Sequence, residues 1–499
     1  MSVNLNPAQI GVFLLLSALI AGLTWWFCRG SGTRGDASSE QAEDDYFLAG
    51  GSLKWYFVAG SITLTNLSTD QLVGMNGAQM ALLAWWELAA VVGLLMLAFV
   101  FIPVYYRYNC TTTTELLERR YGDKHIRALI SGLFLLGNIF IFLPAILYGG
   151  SLFMINLFGL DVNLYGVAAA FAVVGSAYAI FGGLRAVAVS DTFSGVLLLG
   201  LAVLVTVIAL GAIGWDFSGI PRERLTLIGG PDSDIPFATL FTGMLFIQMF
   251  YWSTNQTITQ RAMASPTVAE ARKGILAAAA IRLLIIPPVI VLPGIVAYKL
   301  YGDIGDNSYG RLVGDILPGF LSGAFAAAIA AAVLTTFNSI LNASAALWVV
   351  DIHKAYLAPK PNVRRLSLVV SVVMVGLAFA MIPIFNDPES SIIDRVQRMY
   401  GLLSMPILSA FVVGLLFRNV RASAMIAGVV IGVFFYGFAS GTLQGLIQPI
   451  AAWPQVPLHY IHLMAITLFV SVGAALGLSW GMGSRPVWDA RAVFGRGAA

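Results

Sequence analysis

Apolar runs of about 20 residues recur along almost the whole chain, from Ala8 to the neighbourhood of Trp480. A run of this length matches the hydrocarbon core of a bilayer, where the backbone can satisfy its hydrogen bonds only as a helix or a closed barrel. Charged residues make up 11% of the 499, whereas soluble domains carry about 25%. The sequence therefore predicts an all-α integral membrane protein with no separate soluble domain.

These runs predict about 13 membrane spans. The spans cover residues 8–28, 53–75, 80–104, 127–157, 163–182, 192–213, 236–258, 271–301, 317–352, 363–386, 391–417, 421–445 and 457–481. The first run has no Lys or Arg before it and ends in Trp25, Trp26 and Phe27 rather than in small residues. It is therefore expected to be a retained span and not a cleaved signal.

The 28 Lys and Arg residues are distributed unequally between alternate loops. With the N-terminus outside, 21 of them fall in or next to inside segments, four lie outside, and three lie within or at the ends of spans. Because cytoplasmic loops are enriched in Lys and Arg, this bias predicts N-terminus out and C-terminus in. Spans 2 to 6 and 7 to 11 then form two groups of five, and an odd number of helices requires the second group to be inverted.

Span 2 carries a polar stretch in mid-membrane, where nine of the twelve residues from Gly60 to Gln71 are small or polar. Gly, Ser, Thr and Asn compete for backbone hydrogen bonds, and an unwound turn offers free carbonyls to a cation. Small residues also serve helix packing, but Asn66, Asp70 and Gln71 are too polar for packing alone. We therefore predict an interrupted, site-forming helix.

Span 7, the first of the second group, shows the same anomaly, with Gln248 and the run Tyr-Trp-Ser-Thr-Asn-Gln at 251–256. Corresponding interruptions in two halves of a membrane protein indicate a binding site between them. The sequence thus predicts that these two spans meet around a ligand.

Charges within the spans are few, and Glu87 and Arg282 are the deepest of them. A charge at a helix centre costs at least about 2.5 kcal/mol, so each needs a partner or a wet cavity. The two residues form a structural ion pair, or they line the cavity and bind a polar ligand. The neighbouring Trp85 and Trp86 favour the cavity, because flat rings stack on sugars and planar solutes.

Span 9 contains adjacent Thr335 and Thr336 in an Ala-rich helix. The two hydroxyls satisfy their own backbone carbonyls, or they supply oxygens for a hard cation. Sodium prefers neutral or anionic oxygens over sulfur or imidazole. Carbonyls of an unwound span 2 and these two hydroxyls would form a suitable set.

Several longer motifs are spread over residues 46–417. They are 46–53 (YFLAGGSL), 65–75 (TNLSTDQLVGM), 181–186 (FGGLRA) with Asp191, 251–256 (YWSTNQ) with 260–261 (QR), 293–294 (PG) and 337–342 (FNSILN). Together they resemble the solute:sodium symporter family, specifically its sodium/glucose cotransporter branch. The resemblance implies a leucine-transporter-type core of five plus five inverted helices, with one span before it and two after.

The resemblance divides the chain into five segments. These are an N-terminal span and loop (1–52), a first inverted repeat (53–213), an extracellular loop (214–235), a second inverted repeat (236–417) and two further helices with a tail (418–499). The implied function is sodium-coupled symport of a sugar or sugar-like solute into the cell by alternating access.

The resemblance also implies roles for particular residues. Sodium would bind the carbonyls of Leu64, Leu67 and Ala332 and the hydroxyls of Thr335 and Thr336. Asp191 would couple sodium to transport. Solute-contacting positions map onto Asn66, Gln71, Glu87, Gln248, Tyr251, Trp252, Arg282 and Gln397. Met75, Trp86 and Ile393 would form an outer hydrophobic gate, and Tyr251 the inner gate.

The chain departs from the sugar branch at three of its positions. The family has Lys where Arg282 stands, Asn at Gln248 and Ser at Ala90. A Lys-to-Arg change replaces a point donor by a planar fork suited to carboxylate or phosphate. Glu87 and Gln71 favour a neutral polyhydroxylated solute, whereas an Arg282 that Glu87 did not neutralise would admit an acidic sugar or another organic acid. Proton coupling, with Asp70 or Asp191 as the carrier, is a further alternative.

An enzyme is not expected. The four histidines, His125, His353, His459 and His462, lie near span ends without HExxH or GxSxG context. The expected partners are sodium, a small solute and the lipid bilayer, with no nucleic acid, and a monomer should suffice for transport. The expected location is the inner membrane, as a multi-pass protein.

Overall fold

The structure is a computed structural model that describes residues 7–28, 45–67, 69–386, 391–443 and 457–494. The side chains of residues 27–28, 70, 176–183, 492 and 494 lie outside this description, so the predicted role of the Asp70 carboxyl and part of the 181–186 motif fall outside it as well. The described chain is nearly all helical. Its two short strands, β1 (Phe417–Arg418) and β2 (Val487–Trp488), pair antiparallel.

The longer helices are numbered in chain order. They are α1 (Pro7–Cys28), α2 (Trp55–Asn66), α3 (Ala81–Arg107), α4 (Lys124–Phe158), α5 (Leu164–Ala212), α6 (Gly243–Ser253), α7 (Gln256–Met263), α8 (Val268–Tyr301), α9 (Gly319–Tyr356), α10 (Val363–Phe385), α11 (Ile392–Leu416), α12 (Ala422–Ala439) and α13 (Tyr460–Gly481). Shorter helices are Glu115–Tyr121, Arg222–Leu225, Ser308–Ile316 and Arg491–Phe494. Single turns of 3-10 helix cover Ala49–Gly51, Phe237–Phe241 and Gly305–Asn307.

Within the described ranges, 10 helices are long and apolar enough to cross a membrane. They correspond to predicted spans 1, 3, 4, 6 and 8 to 13. Spans 2 and 7 are absent from this set because each is divided into shorter helices, and span 5 is represented by the shorter apolar stretch Leu164–Gly175. The total of about 13 crossings and the orientation of the termini therefore stay predictions.

The predicted interruptions in spans 2 and 7 are present. Helix α2 ends at Asn66, Leu67 leaves helical geometry with a ψ of 66°, and a π-helical segment resumes at Asp70–Met75. In span 7, α6 ends at Ser253, and α7 begins after Asn255, whose side chain accepts a hydrogen bond from the backbone N–H of Thr257 at 2.9 Å. Because a new N-cap follows directly after the end of α6, α7 is a separate helix and not a continuation of α6.

The structure shows no helix end between the predicted spans 163–182 and 192–213. Both spans lie in α5, which runs for 49 residues. The intervening residues 183–191 include no Pro, so no backbone donor is missing there, and the helix continues through Gly183. At 1.5 Å per residue, an unbroken helix of this length is about 73 Å long, which exceeds the thickness of one bilayer.

Helix α2 packs against α5 and the first half of α8, while α12 and α13 pack on each other and on α11. Helix α3 approaches α6 closely at Gly93, where an added Cβ would lie 2.2 Å from the carbonyl oxygen of Gln248. The missing side chain thus lets the two helices meet. This contact places Gln248 and Trp252 beside the Trp86–Glu87 end of α3.

Candidate functional site

A cavity of about 50 Å³ lies between the two interrupted spans, α3, α4 and α11. This volume is below the usual range for an open small-molecule site, so the cavity must widen to admit a solute. Ten predicted site residues line the cavity: Asn66, Gln71, Met75, Trp86, Glu87, Gln248, Tyr251, Trp252, Ile393 and Gln397. The structure therefore brings together nearly all the predicted solute and gate positions.

Arg282 is the exception, because it lies behind the cavity wall rather than on it. Its side chain is fully buried, and Nη1 is 3.0 Å from the Oε2 of Glu87. Gln71 Nε2 donates a hydrogen bond to Oε1 of the same carboxylate. The guanidinium also stacks on Trp252, with Cζ 4.4 Å from the ring centroid. The two sequence interpretations thus combine: Glu87 and Arg282 form an ion pair, and only Glu87 lines the cavity.

Amides and a phenol complete the polar surface of the cavity. Gln248 Nε2 donates to the carbonyl oxygen of Trp86 at 2.7 Å, and its Oε1 accepts from the indole N–H of Trp252 at 2.9 Å. The Asn66 amide and the Tyr251 hydroxyl are hydrogen-bonded at 2.5 Å. With its oxygen turned toward Arg282, the Asn66 amide accepts from Nη1 at 3.2 Å. These bonds fix the side chains in place before any solute arrives.

The two ends of the cavity differ in exposure. Met75, Trp86 and Ile393, the predicted outer gate, are each 5% exposed or less. Asn66 and Tyr251, at the other end, are partly exposed. The three predicted outer-gate residues are therefore shielded from solvent in this structure.

Four cavity residues were not predicted: Phe142, Ile247, Val396 and Tyr400. Tyr400 lies three residues after Gln397 on α11, so helical spacing could have found it. Its ring meets Phe142 edge-on at 4.8 Å between centroids, and its hydroxyl accepts from Asn255 Nδ2 at 3.1 Å. Phe142 carries no comparable signal in the sequence. Within the described chain, the Oε1 of Gln397 is buried without a hydrogen-bond partner.

The predicted sodium residues lie on α9 and at the end of α2. Thr335 Oγ1 donates to the carbonyl oxygen of Ala332 at 3.2 Å, whereas the buried Thr336 Oγ1 has no hydrogen-bond partner in the described residues. Leu64 and Leu67 lie at the interruption, where carbonyls of the last helical turn lack partners within the helix. An unpartnered hydroxyl and helix-end carbonyls are oxygens of the kind sodium binds, so the donor set fits the ion.

Asp191 on α5 connects three other helices in this region. Its Oδ2 accepts from Ser61 Oγ at 2.6 Å and from Thr65 Oγ1 at 3.1 Å, both on α2. Arg261 on α7 approaches the same oxygen at 3.4 Å and also donates to Ser339 on α9. Both charged side chains are completely buried.

Arg261 is a further functional candidate, and it was not among the predicted site residues. The charge bias predicts that it lies in or next to an inside segment, and the structure buries it beside Asp191. Its guanidinium also bonds to Ser61 Oγ at 2.7 Å. The QR pair in the 260–261 motif was the available signal, since a buried Arg requires a partner.

Interrupted helices around a polar cavity define the class: the fold is that of a membrane transporter. A solved structure of a Na⁺-coupled sialic acid symporter, in a substrate-bound outward-open state, superposes with a TM-score of 0.78 at 17% identity, covering 95% of this chain and 98% of that one. The expected leucine-transporter-type fold is thereby confirmed.

Sequence comparison identifies the family. The sodium:solute symporter family model matches residues 46–432. An uncharacterized symporter, YidK of Escherichia coli (strain K12), is 33% identical, with 94% of this chain and 83% of that protein covered. The sodium/glucose cotransporter of Vibrio parahaemolyticus is 30% identical, with 87% and 85% covered.

The chain belongs to the sodium:solute symporter family. The predicted resemblance, a multi-pass membrane protein and sodium as the coupled ion are therefore confirmed, and the bacterial relatives place it in the inner membrane. The family and the similar solved structure are transporters rather than enzymes.

Proposed function

We propose that this symporter carries a neutral polyhydroxylated solute, such as a sugar or a polyol, into the cell together with sodium. The observation that carries this proposal is the 3.0 Å ion pair between Glu87 and Arg282. Because Arg282 balances the only described carboxylate on the cavity wall, the wall presents no unpaired positive charge to attract an acid.

The remaining wall suits hydroxyl groups. Glu87 and the amides of Asn66, Gln71 and Gln397 offer acceptors and donors, and Gln397 Oε1 is unpartnered. Trp252 and Tyr251 add flat rings against which a sugar ring can pack. A buried acceptor without a partner costs free energy that a solute hydroxyl would recover. The sodium/glucose relative transports a solute of this chemistry, by its name.

We assign sodium to the carbonyls of Leu64, Leu67 and Ala332 and the hydroxyls of Thr335 and Thr336, where the fit described above supports it. Asp191 would hold the α2 side of this site in register with α9. One positive charge crossing about 100 mV supplies about 2.3 kcal/mol, to which the sodium gradient adds. That energy is enough to concentrate a neutral solute.

The repeat boundaries support alternating access. In this proposal residues 53–213 and 236–417 are the two inverted halves, flanked by 1–52 and 418–499 and joined by 214–235. Each half begins with an interrupted span, and the two spans meet at the cavity. Met75, Trp86 and Ile393 close the outer end, Tyr251 closes the inner end, and a single chain suffices.

The decisive experiment is a thermal-shift screen of the purified protein against sugars, polyols and sugar acids, each with and without sodium. Ligands that bind the folded state raise Tm by mass action. We expect neutral sugars or polyols to stabilise the protein only when sodium is present. The matched control is the double variant Thr335→Val, Thr336→Val, which keeps the shape of both side chains and should lose the sodium effect.

Two outcomes would change the assignment. Stabilisation by sugar acids and not by neutral sugars would show that the Glu87–Arg282 pair opens to an anion. Uptake into vesicles that follows a pH gradient and is unaffected by sodium would transfer the coupling to a proton.

A further inference from the structure

The loop between α8 and α9 contacts the start of the gate helix. Asp306, in the 3-10 turn Gly305–Asn307, accepts a hydrogen bond through Oδ2 from the backbone N–H of Ile392 at 2.9 Å. Ile392 begins α11, and the next residue, Ile393, is a proposed outer-gate residue. One carboxylate therefore holds the first turn of the helix that closes the cavity.

The same carboxylate lies against the end of the first interrupted span. A Cβ added at Gly77 would be 2.3 Å from Asp306 Oδ1, so the glycine leaves the space that the carboxylate fills. Other bonds secure this end to the loop: Ser308 Oγ donates to the carbonyl oxygen of Asn76 at 3.1 Å, and Gln79 Nε2 donates to that of Gly302 at 3.1 Å. Asp306 thus joins the Met75 side of the gate to the Ile393 side.

The second oxygen of Asp306 is enclosed. Within the described residues Oδ1 is buried and has no hydrogen-bond partner. Burial raises the pKa of Asp306 to about 7, against the weaker lowering effects of the Ile392 N–H and of Arg395. A carboxylate with one oxygen out of reach of water is costly to keep ionised, whereas the protonated form is not.

The charged groups around Asp306 are few and mostly paired with one another. On α11 they are Arg395 and Asp394, and Asp394 is paired to Arg398. In the same loop, Asp303 is paired to Arg224. On the following short helix, Arg311 and Asp315 are paired to each other. Only Arg395 acts appreciably on Asp306. The charge state of Asp306 is therefore set mainly by whether the gate buries it.

We propose that Asp306 is a positioning residue of the outer gate, and that a proton on its carboxyl stabilises the closed gate. This rests on the proposed gate but not on the identity of the solute. Opening would return Asp306 to water and its pKa to the ordinary 3.8. Because the pKa is raised in the closed state, the contribution to closure is present at low pH and is lost as pH rises through about 7.

The size of the effect follows from these two values. Between pH 8 and pH 6 the ratio of closed to open gate should rise about tenfold. Acid on the side predicted to face outward would thus hold the gate shut, and a neutral or alkaline exterior would release it.

Hydrogen–deuterium exchange of the purified protein, without sodium or solute, tests this directly. Protection of residues 69–79 and 391–400 is compared between the wild type and Asp306→Asn at the same pH, so that intrinsic exchange rates cancel. The Asn amide can still accept from Ile392 but cannot ionise. We expect the ratio of wild-type to variant protection to rise about tenfold from pH 8 to pH 6. The control, Asp315→Asn, removes an exposed carboxylate from the same region and should behave as wild type.

The proposal is overturned if the ratio of wild-type to Asp306→Asn protection stays constant between pH 8 and pH 6. It is also overturned if the ratio of wild-type to Asp315→Asn protection changes over the same range. Should Asp306→Asn not fold, the wild type alone is titrated from pH 5 to 9, with residues 460–481 as the internal reference. Protection of 391–400 relative to this reference must fall as pH rises from 5 and level off above about 7, and a flat profile refutes the role. Absence of sugar binding in the thermal-shift screen would defeat the proposed solute and leave this result unaffected.

Discussion

Two of the buried ion pairs in the described part of the chain lie at the candidate sites, one at the cavity and one near the proposed sodium site, and they differ in surroundings. Glu87 faces the cavity and receives a second bond from Gln71, while Arg282 supports it from behind at 3.0 Å. Asp191 does not line the cavity; it joins α2, α7 and α9 through hydroxyls and a longer 3.4 Å contact with Arg261. A carboxylate–arginine pair therefore has different surroundings at the two sites.

The two carboxylates differ in whether groups outside the protein can replace a lost arginine. A carboxylate on a cavity wall can be reached by water or by a solute, so losing its arginine leaves it partly solvated. A carboxylate enclosed among helices has only the protein. The pair at the sodium region should accordingly matter more for stability, and the pair at the cavity more for the choice of solute.

The largest expected effect is that of Arg261→Met. Removing this guanidinium leaves Asp191 as a buried charge without a counter-charge, which costs about 3–5 kcal/mol. Unfolding of the purified variant in detergent, followed by intrinsic fluorescence, measures the loss. The double variant Asp191→Asn, Arg261→Met should recover much of it, and a double variant as unstable as the single one would contradict the pairing.

The Arg282→Met variant tests the other side of the comparison. We expect a smaller loss of stability, about 1–3 kcal/mol, because Gln71 and water in the cavity can solvate Glu87. The same unfolding measurement applies, and Arg282→Lys, which keeps the charge, is its control. If Arg282→Met proved more damaging than Arg261→Met, the two regions would not differ as we describe.

At the sodium region, Thr336→Val removes a hydroxyl that has no protein partner. Stability without sodium should be unchanged, while the sodium concentration for half-maximal stabilisation should rise about tenfold, which corresponds to about 1.4 kcal/mol. Thr336→Ser retains the oxygen and should resemble the wild type. An unaltered sodium response in the Val variant would remove Thr336 from the site.

The smallest effect is expected for Gln397→Leu in the cavity. Its unpartnered Oε1 is available to a solute hydroxyl, so solute affinity should fall by about 0.5–1.5 kcal/mol, the usual value of one hydrogen bond. Sodium stabilisation measured without solute should not change. A change in the sodium response would mean that the solute and sodium sites are not separable at this residue. The control Gln397→Glu keeps the side-chain length and an oxygen, so it distinguishes loss of shape from loss of the oxygen.

Much of this architecture was predictable because it depends on local composition. Apolar runs indicate helices, and the polar stretches in spans 2 and 7 indicated interruptions that the structure contains at Asn66 and Thr254. The motifs led to the family. The helix end expected between spans 5 and 6 did not appear: α5 continues through Gly182 and Gly183.

Placement of individual charged side chains was less predictable. Arg282 was expected either to pair with Glu87 or to contact the solute, and it pairs with Glu87 behind the cavity wall. Arg261, expected in or next to an inside segment, is buried beside Asp191. Sequence position shows on which segment a residue lies. It does not show the direction of a long side chain, which depends on the packing of other helices.

The sequence by itself determined that this chain is a membrane-embedded helical symporter with two interrupted spans, since hydrophobicity, charge bias and motifs are properties of short segments. Tertiary structure alone decided that Arg282 neutralises Glu87, that Asp191 binds Arg261, and that Asp306 reaches Ile392. Each of these contacts joins residues at least 70 positions apart. Their formation depends on how the helices pack, and a local sequence pattern does not specify that packing.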